Sequence, residues 1–583
     1  MNKLKLNIFE IGALFLTLQA IGALVFALIG LFFTVSILLW FFATLGLITF
    51  MLKRKIILIE KISRKEIILL SALCLFALLL SFFTTPTIFG GRDEGSFSSA
   101  AIMLSQNGSL EYSSALEKEF FDIYGPGKAL NFPGFMYTQK GQLCSQFLPG
   151  YISWVGLWHN LFGLTGLKIA NFFPFIIFLF SFFLVLKHFV TKKKYAFIGT
   201  LLLATTFPMV VFFKFTLTEI FFASLLWMFL HFTLKYFRNK SFENFIPLLI
   251  PLVPMSFVRI EALGIIFAFI LVFITFDFAN AKTPRFQSLL TLLGLAVATS
   301  LLVSPHFFVD SFKNLFELAV PVGNSTKEIS DESLIPDDWQ GFYLVKVFFN
   351  YNILPLVIMG GAMMIMLFRK RTWDKLLVLF LLSPILIYLV DANISLDHPW
   401  MLRRFLFAIL PLFFLYSIIL LDKTSTKYPK LVMSILVVSF ALNSLQSVPF
   451  VFDSQNKGLL EQTIDLTQDF KPNDLILVSR QASGSGWSLL AEPMRNVRDL
   501  QAVYLFNSND LVEVNLEKFD SVYLIASEKE IDQAQEKIYA SLQKKKIGTY
   551  QIKNNIIKPS RDPLSTPAMN KYETQGYIFQ IEK

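Results

Sequence analysis

Residues 89–110 read FGGRDEGSFSSAAIMLSQNGSL and follow directly on an apolar run, 66–84, long enough to cross a bilayer. Arg92, Asp93 and Glu94 therefore stand within a few residues of a membrane edge. Charges at such a place belong either to a polar loop or to a site built at the interface. Asp93 can cap a helix in which Phe97, Ala100/Ala101 and Leu104 recur at helical spacing, and Asn107-Gly108 ends it. The spacing predicts a short amphipathic helix lying on the outer leaflet, with both carboxylates at its start. Two roles are open for them. Asp93 is only a cap and Glu94 only favours the helix dipole, or the pair does chemistry.

The rest of the chain is consistent with a membrane setting. Of 583 residues, 54% are hydrophobic and 66 are Phe, while charged residues reach only 16%, against roughly 25% in soluble domains. Apolar runs of spanning length recur along most of the sequence, the pattern of a polytopic membrane protein. The net charge of +10 comes from Lys and Arg in short loops between these runs, where they act as topology signals rather than as a nucleic-acid surface. Cys74 and Cys144 have neither CxxC nor metal spacing, so no disulfide framework and no structural zinc are expected. The basic start MNKLKLNIFE leads into apolar sequence that continues to about residue 51 without a small-residue cleavage site, which predicts a retained helical hairpin.

Six basic loops, 53–65, 187–194, 235–240, 282–285, 369–375 and 422–430, are expected on the cytoplasmic side. The spans compatible with them are 8–28, 30–51, 66–84, 167–188, 196–213, 216–234, 245–258, 261–277, 286–304, 350–368, 375–391, 404–421 and 429–447, about thirteen in all. The aromatic segment 147–163 carries His159 and Asn160 and is read as an interfacial or re-entrant helix, because a span there would turn the basic 187–194 loop outward. With this topology the polar segments that are not basic, 85–146, Arg259/Glu261, 305–347, 391–403 and everything after 448, share the extracytoplasmic side.

After residue 455 the charge rises and the apolar runs shorten. DLILVSR (474–480), DSVYLIAS (520–527) and YIFQIEK (577–583) read as strands, and EKEIDQAQEKIYASLQKKK (528–546) reads as a helix. The expected organisation is a hairpin and basic loop over 1–65, an all-α transmembrane region over 66–448, and a small extracytoplasmic α/β domain over 449–583. SGSGWS (483–488) lacks the spacing of a phosphate-binding fingerprint.

An outward loop that opens with Asp-Glu directly after a span resembles the GT-C glycosyltransferases. The likeness is to the protein O-mannosyltransferase-like and aminoarabinose-transferase-like branch, glycosyltransferase family 39. GQLCSQFLPGYISWVGLWHNLFG (141–163) is similar to that family's Pro-Gly segment and aromatic helix. FTLTEIFFASLL (215–226) is similar to its Thr-Glu helix start, and VRIEAL (258–263) to its polar break between spans. The resemblance covers about 66–420 and implies a GT-C-like fold and a polyprenyl-phosphate sugar donor. It also implies transfer to an extracytoplasmic lipid, glycan or protein acceptor, with Asp93 as base and Glu94 supporting it. Attack at an anomeric carbon needs a base at the interface, and the departing phosphate needs cations.

In DANISLDHPWMLRRFLFAILP (391–411), His398, Arg403 and Arg404 stand at the outward mouth of a span, against the charge bias. They are expected to bind the donor phosphate, the alternative being that the arginines snorkel to headgroups. Arg92, Arg259 and Glu261 complete the expected substrate-binding set, although a purely structural Arg259–Glu261 contact fits equally well. Glu219 has the same ambiguity, with Lys214 as its expected partner. Asp337/Asp338 can hold a divalent metal or simply be solvated, and the sequence requires no metal. Three other readings differ in what they predict. A flippase for lipid-linked sugars predicts inverted repeats and mid-bilayer charges. A receptor or assembly protein predicts that the Asp-Glu and Arg-Arg pairs are dispensable. A glycan polymerase or ligase would share the donor chemistry.

Overall fold

The computed structural model describes residues 3–309, 340–392, 394–395, 397–507, 510–532 and 544–582. Asp337 and Asp338 lie outside the described residues. The architecture is a multi-pass helical body with a small C-terminal sheet domain packed on one end. Seven helices among the described residues are long and apolar enough to span: Ile8–Leu28, Thr34–Lys53, Arg64–Phe82, Leu164–Phe189, Thr218–Arg238, Pro284–Val303 and Pro429–Phe452. Two bent pairs raise the number to nine: Lys193–Ala204 with Phe207–Phe213 at 58°, and Trp400–Leu406 with Ile409–Thr424 at 57°.

Thirteen spans are therefore not reached by length. The runs expected at 261–277 and 350–368 form helices of 16 residues, Glu261–Phe276 and Leu354–Arg369. Those at 245–258 and 375–391 break into shorter pieces around Pro247, Pro251, Pro254 and Pro384. Proline removes a helix donor and crowds the preceding turn, so an apolar run rich in it does not make one rod.

The segment at 147–163 forms helix Pro149–Phe162, at 14 residues too short to span. Helix Asp93–Asn107 begins and ends where the sequence places it, closed by Gly108 in the left-handed region at φ 72°. It does not lie on a surface, however. Ten of its residues, from Glu94 to Leu104, are buried, and it packs against Pro149–Phe162 and Ala491–Arg498. Gly95, Ser96, Ser98, Ser99, Ala100 and Ala101 let neighbours approach from every side. A Cβ on Gly95 would stand 1.7 Å from the Phe89 carbonyl oxygen. Among these small residues Phe97 stacks against Phe147 with centroids 4.4 Å apart.

The C-terminal sheet runs in the order Lys544–Ile557, Met569–Ile581, Val522–Ser527, Leu475–Val478, Gln501–Tyr504. The first three strands pair antiparallel and the last three parallel. Leu475–Val478 and Val522–Ser527 stand within the predicted strands, while the strand expected over 577–583 begins eight residues earlier, at Met569, and ends at Ile581. Of the helix expected over 528–546, the structure describes Glu528–Asp532, and Lys544–Lys546 open a strand instead. The domain is tied to the body by a bridge between Gly90 and Leu489 and another between His398 and Ser560. Asn131 Nδ2 also donates to the Tyr504 carbonyl at 2.9 Å.

Candidate active site

Four local devices bring charges to one end of the spans. Helix Asp93–Asn107 starts with Asp93 as its first residue, where a carboxylate suits the positive helix end. Helix Thr218–Arg238 starts with Thr218 and Glu219 in the same way. The polar break before helix Glu261–Phe276 is held by the Gly150 amide, which donates to the Phe257 carbonyl at 2.8 Å. Gly150 has to be glycine there, since a Cβ would lie 2.6 Å from that oxygen. Arg403 and Arg404 arrive from the short turn before the bend at 407–408.

These elements enclose a cavity of about 230 Å³ lined by Asp93, Glu219, Arg259, Glu261, Arg403 and Arg404, with Thr218 and Tyr388 between them. Arg403 Nη2 donates to Asp93 Oδ2 at 2.6 Å. Arg259 is the centre of a buried network. Its Nη1 donates to Glu219 Oε1 at 2.9 Å and Thr218 Oγ1 at 2.8 Å, and its Nη2 donates to Glu261 Oε1 at 2.7 Å. The Tyr388 hydroxyl donates to the same Glu261 oxygen at 2.7 Å.

Three guanidinium groups thus face three carboxylates, but the pairing is uneven. Arg404 Nη1 lies 3.5 Å from Glu261 Oε1, and Arg404 makes no side-chain hydrogen bond among the described residues. Its Nε, the Arg403 Nε and Glu219 Oε2 are all buried with no hydrogen-bond partner among the described residues. Arg404 is therefore the cation least committed to the protein and most available to an anion. Burial pushes the Asp93 carboxyl up, but the Arg403 guanidinium, helped by Arg404 and Arg92, outweighs this and holds it below the usual carboxylate range.

The expected site residues divide accordingly. Asp93, Arg259, Glu261, Arg403 and Arg404 meet in the cavity; Glu94, Arg92 and His398 do not line it. The Asp93 side chain bonds to Arg403, and the residue at the cap position, Arg92, makes no capping bond, so Asp93 is not merely a cap. Glu219 pairs with Arg259 rather than Lys214, whose ammonium donates to the carbonyls of Phe83, Val451 and Asp453 at 3.2, 2.8 and 2.8 Å. Arg92 instead pairs with Asp397 at 3.1 Å and lies between the Trp400 and Trp487 rings, 4.2 and 4.3 Å from their centroids. His398 meets the Tyr351 hydroxyl at 2.9 Å and the Asp562 carbonyl at 2.5 Å, and burial holds its imidazole below the usual range. Both residues fasten the C-terminal domain to the body. Tyr388 was missed, because one Tyr in an apolar run carries no local signal. Among the described residues no group of three or more His, Cys, Asp or Glu side chains could hold a metal ion.

Glu94 is 3% exposed, and its Oε1 accepts from Gln455 at 3.3 Å while Oε2 has no hydrogen-bond partner among the described residues. Burial, with a smaller push from Asp93, raises its pKa to about 7. A carboxyl raised from 4.5 to about 7 binds more protons in the folded state, so stability falls as pH rises through that window. Glu94→Gln is expected to match the parent near pH 5 and to be more stable above pH 7, by up to ~3 kcal/mol. Thermal unfolding at the two pH values tests this, and equal midpoints at the higher pH would refute it.

No protein-family model matches the sequence, and no curated protein matches it significantly. Among solved structures, the chain is similar to ArnT from Cupriavidus metallidurans in the apo state, with a TM-score of 0.51 at 10% identity over 88% of this chain and 97% of that one. The same protein bound to undecaprenyl phosphate gives a TM-score of 0.47 at 11% identity over the same shares. At such identity the first likeness is one of fold, and the chain has an ArnT-like fold.

Proposed function

We propose that this chain is an integral-membrane glycosyltransferase that moves a sugar from a polyprenyl-phosphate donor to an extracytoplasmic acceptor. The observation that carries the proposal is one cavity, at one end of the spans, holding both the Asp93 carboxylate and Arg404, the least committed of its three guanidinium groups. Transfer from a lipid phosphate needs that pair, a base for the incoming group and a cation for the departing one. The ArnT-like fold supports it further, as does the similarity of the Asp-Glu loop and its neighbouring motifs to family 39.

Asp93 takes the proton from the acceptor hydroxyl or amine as that atom bonds to the anomeric carbon. The bond from that carbon to the phosphate oxygen breaks, and its electron pair leaves on the phosphate. Arg404 and Arg403 hold the added charge. When Arg403 turns to the phosphate it releases Asp93, whose carboxylate regains the basicity that the ion pair suppresses. Arg259, Glu219 and Glu261 hold the two arginines in position, while Arg92, Glu94 and His398 support the wall from behind. The catalytic region is 66–448, preceded by the 1–65 hairpin and loop. The domain over 449–583 covers the site from the same side and helps to select the acceptor.

Membranes carrying the protein are given labelled polyprenyl-phosphate sugars. The parent is expected to transfer label, and Arg404→Gln to lose roughly 10²-fold in kcat/KM for the donor, the size of removing one preorganised charge donor. No transfer by the parent from any polyprenyl-phosphate sugar would sink the proposal and return the chain to the flippase or receptor readings.

A further inference from the structure

A second and larger cavity, about 940 Å³, lies at the far end of the same helix that starts the active site. Helix Thr218–Arg238 has Thr218 and Glu219 in the first cavity and Lys235 and Arg238 in the second. Its 21 residues at ~1.5 Å each separate the two by about 30 Å, the thickness of a hydrocarbon core. The two cavities therefore stand at opposite faces of the membrane. The walls of the second come from basic loops, which the charge bias assigns to the cytoplasm.

Topology signals need only be exposed, whereas this cleft is built. Leu4–Asn7 pairs in parallel with Ile57–Glu60. In an extended chain alternate side chains share a face, and Lys3, Lys5 and Asn7 all line the cleft, with Leu58 and Glu60 from the partner strand. On the floor, Glu10 is 2% exposed and accepts from Lys235 at 3.0 and 3.1 Å and meets His231 at 2.7 Å. Lys235 also reaches Glu60 at 4.0 Å, and Lys187 pairs with Glu66. Glu10 is thereby fully engaged, while Glu60, half exposed at the rim, stands 4.0 Å from Lys235. Lys3, Lys5 and Arg238 remain, with no salt bridge or side-chain hydrogen bond among the described residues, and they converge on one space. Leu184 and Leu234 add apolar wall beside them.

We propose that this cleft binds the phosphate headgroup of an anionic phospholipid in the leaflet opposite the active site, with Lys3, Lys5 and Arg238 as its ligands. The volume lies within the range of about 300–1,000 Å³ for small-molecule sites, and basic pockets between spans on the cytoplasmic side suit such headgroups. Apolar wall next to three free cations favours a lipid over a free anion. The inference is independent of the reaction at the other face.

The test uses the full chain in a zwitterionic detergent, with retention of phosphatidylglycerol and of phosphatidylcholine of equal chain length read by native mass spectrometry. The parent is expected to prefer phosphatidylglycerol, and Lys3→Ala/Lys5→Ala/Arg238→Ala to bind it roughly a hundredfold more weakly. Lys3→Arg/Lys5→Arg keeps the charge and is expected to keep the preference, which separates loss of binding from loss of fold. Unchanged preference in the alanine variant would overturn the site. Competition by inorganic phosphate at the lipid's own concentration would overturn the lipid and leave a free-anion site.

Discussion

Asp93→Asn is expected to abolish sugar transfer, by about 10²- to 10⁴-fold, the range for loss of a general base. Asn keeps the shape of the side chain, so protein abundance should be unchanged while the acceptor's proton has nowhere to go. The ion pair with Arg403 at 2.6 Å makes a further demand on the parent. Because Arg403 and its neighbours hold the Asp93 carboxyl below the usual range, the acid limb of kcat/KM, which reports the free enzyme, should lie below that of an ordinary aspartate. Glu94 supplies the contrast. Its carboxyl titrates at about 7, so an acid limb near neutrality would assign the essential group to Glu94 and away from Asp93. Full activity in Asp93→Asn at equal protein amounts would remove Asp93 from the chemistry.

Arg259→Ala is expected to be the most destabilising single change in the site, by about 3–5 kcal/mol, as when one partner of a buried ion pair is removed. Arg259 is 7% exposed and donates to both Glu219 and Glu261. Without it Glu261 keeps the Tyr388 hydroxyl at 2.7 Å and Arg404 at 3.5 Å. Glu219, 2% exposed, keeps only Arg403 Nε at 3.9 Å as a charged partner and already has one oxygen unsatisfied. Most of the penalty therefore belongs to Glu219, and adding Glu219→Gln to Arg259→Ala should recover part of the loss. Denaturation of the purified proteins in detergent reads both effects. A single variant within about 1 kcal/mol of the parent, or a double variant no better than the single, would mean that the network does not act as a unit.

The membrane class, the helix over 93–107 and the charged ends of the spans depend on local chemistry, and each is readable without a fold. Asn107-Gly108 ends a helix because glycine takes the left-handed conformation without strain. Charges at the ends of apolar runs are conspicuous because they are costly there, which is why Asp93, Arg259, Glu261, Arg403 and Arg404 can all be picked out in advance. The span count is less legible. Hydropathy measures apolar content, and it does not register that the runs break at Pro251 and at Pro384.

Which of the conspicuous charges share a cavity depends on helical phase and on contacts between distant segments. Asp93 and Glu94 are neighbours in sequence but ~100° apart around a helix, so one turns to Arg403 and the other to Gln455. Arg259 rather than Lys214 takes Glu219 because the break after Phe257, held by Gly150, brings it there across 40 residues. Arg92 and His398 have the residue types of an anion site, yet Arg92 meets Asp397 and two indole rings and His398 meets the Asp562 carbonyl, and of these Trp487 and Asp562 arrive only with the docked C-terminal domain. A polytopic membrane protein, the helix that carries Asp93 and the identity of the charges at the span ends are legible in the linear chain, because local cost and periodicity encode them. The pairing of those charges, the weak engagement of Arg404 and the burial of the Asp93 helix emerge only on folding, because these depend on long-range packing and rotation about helix axes.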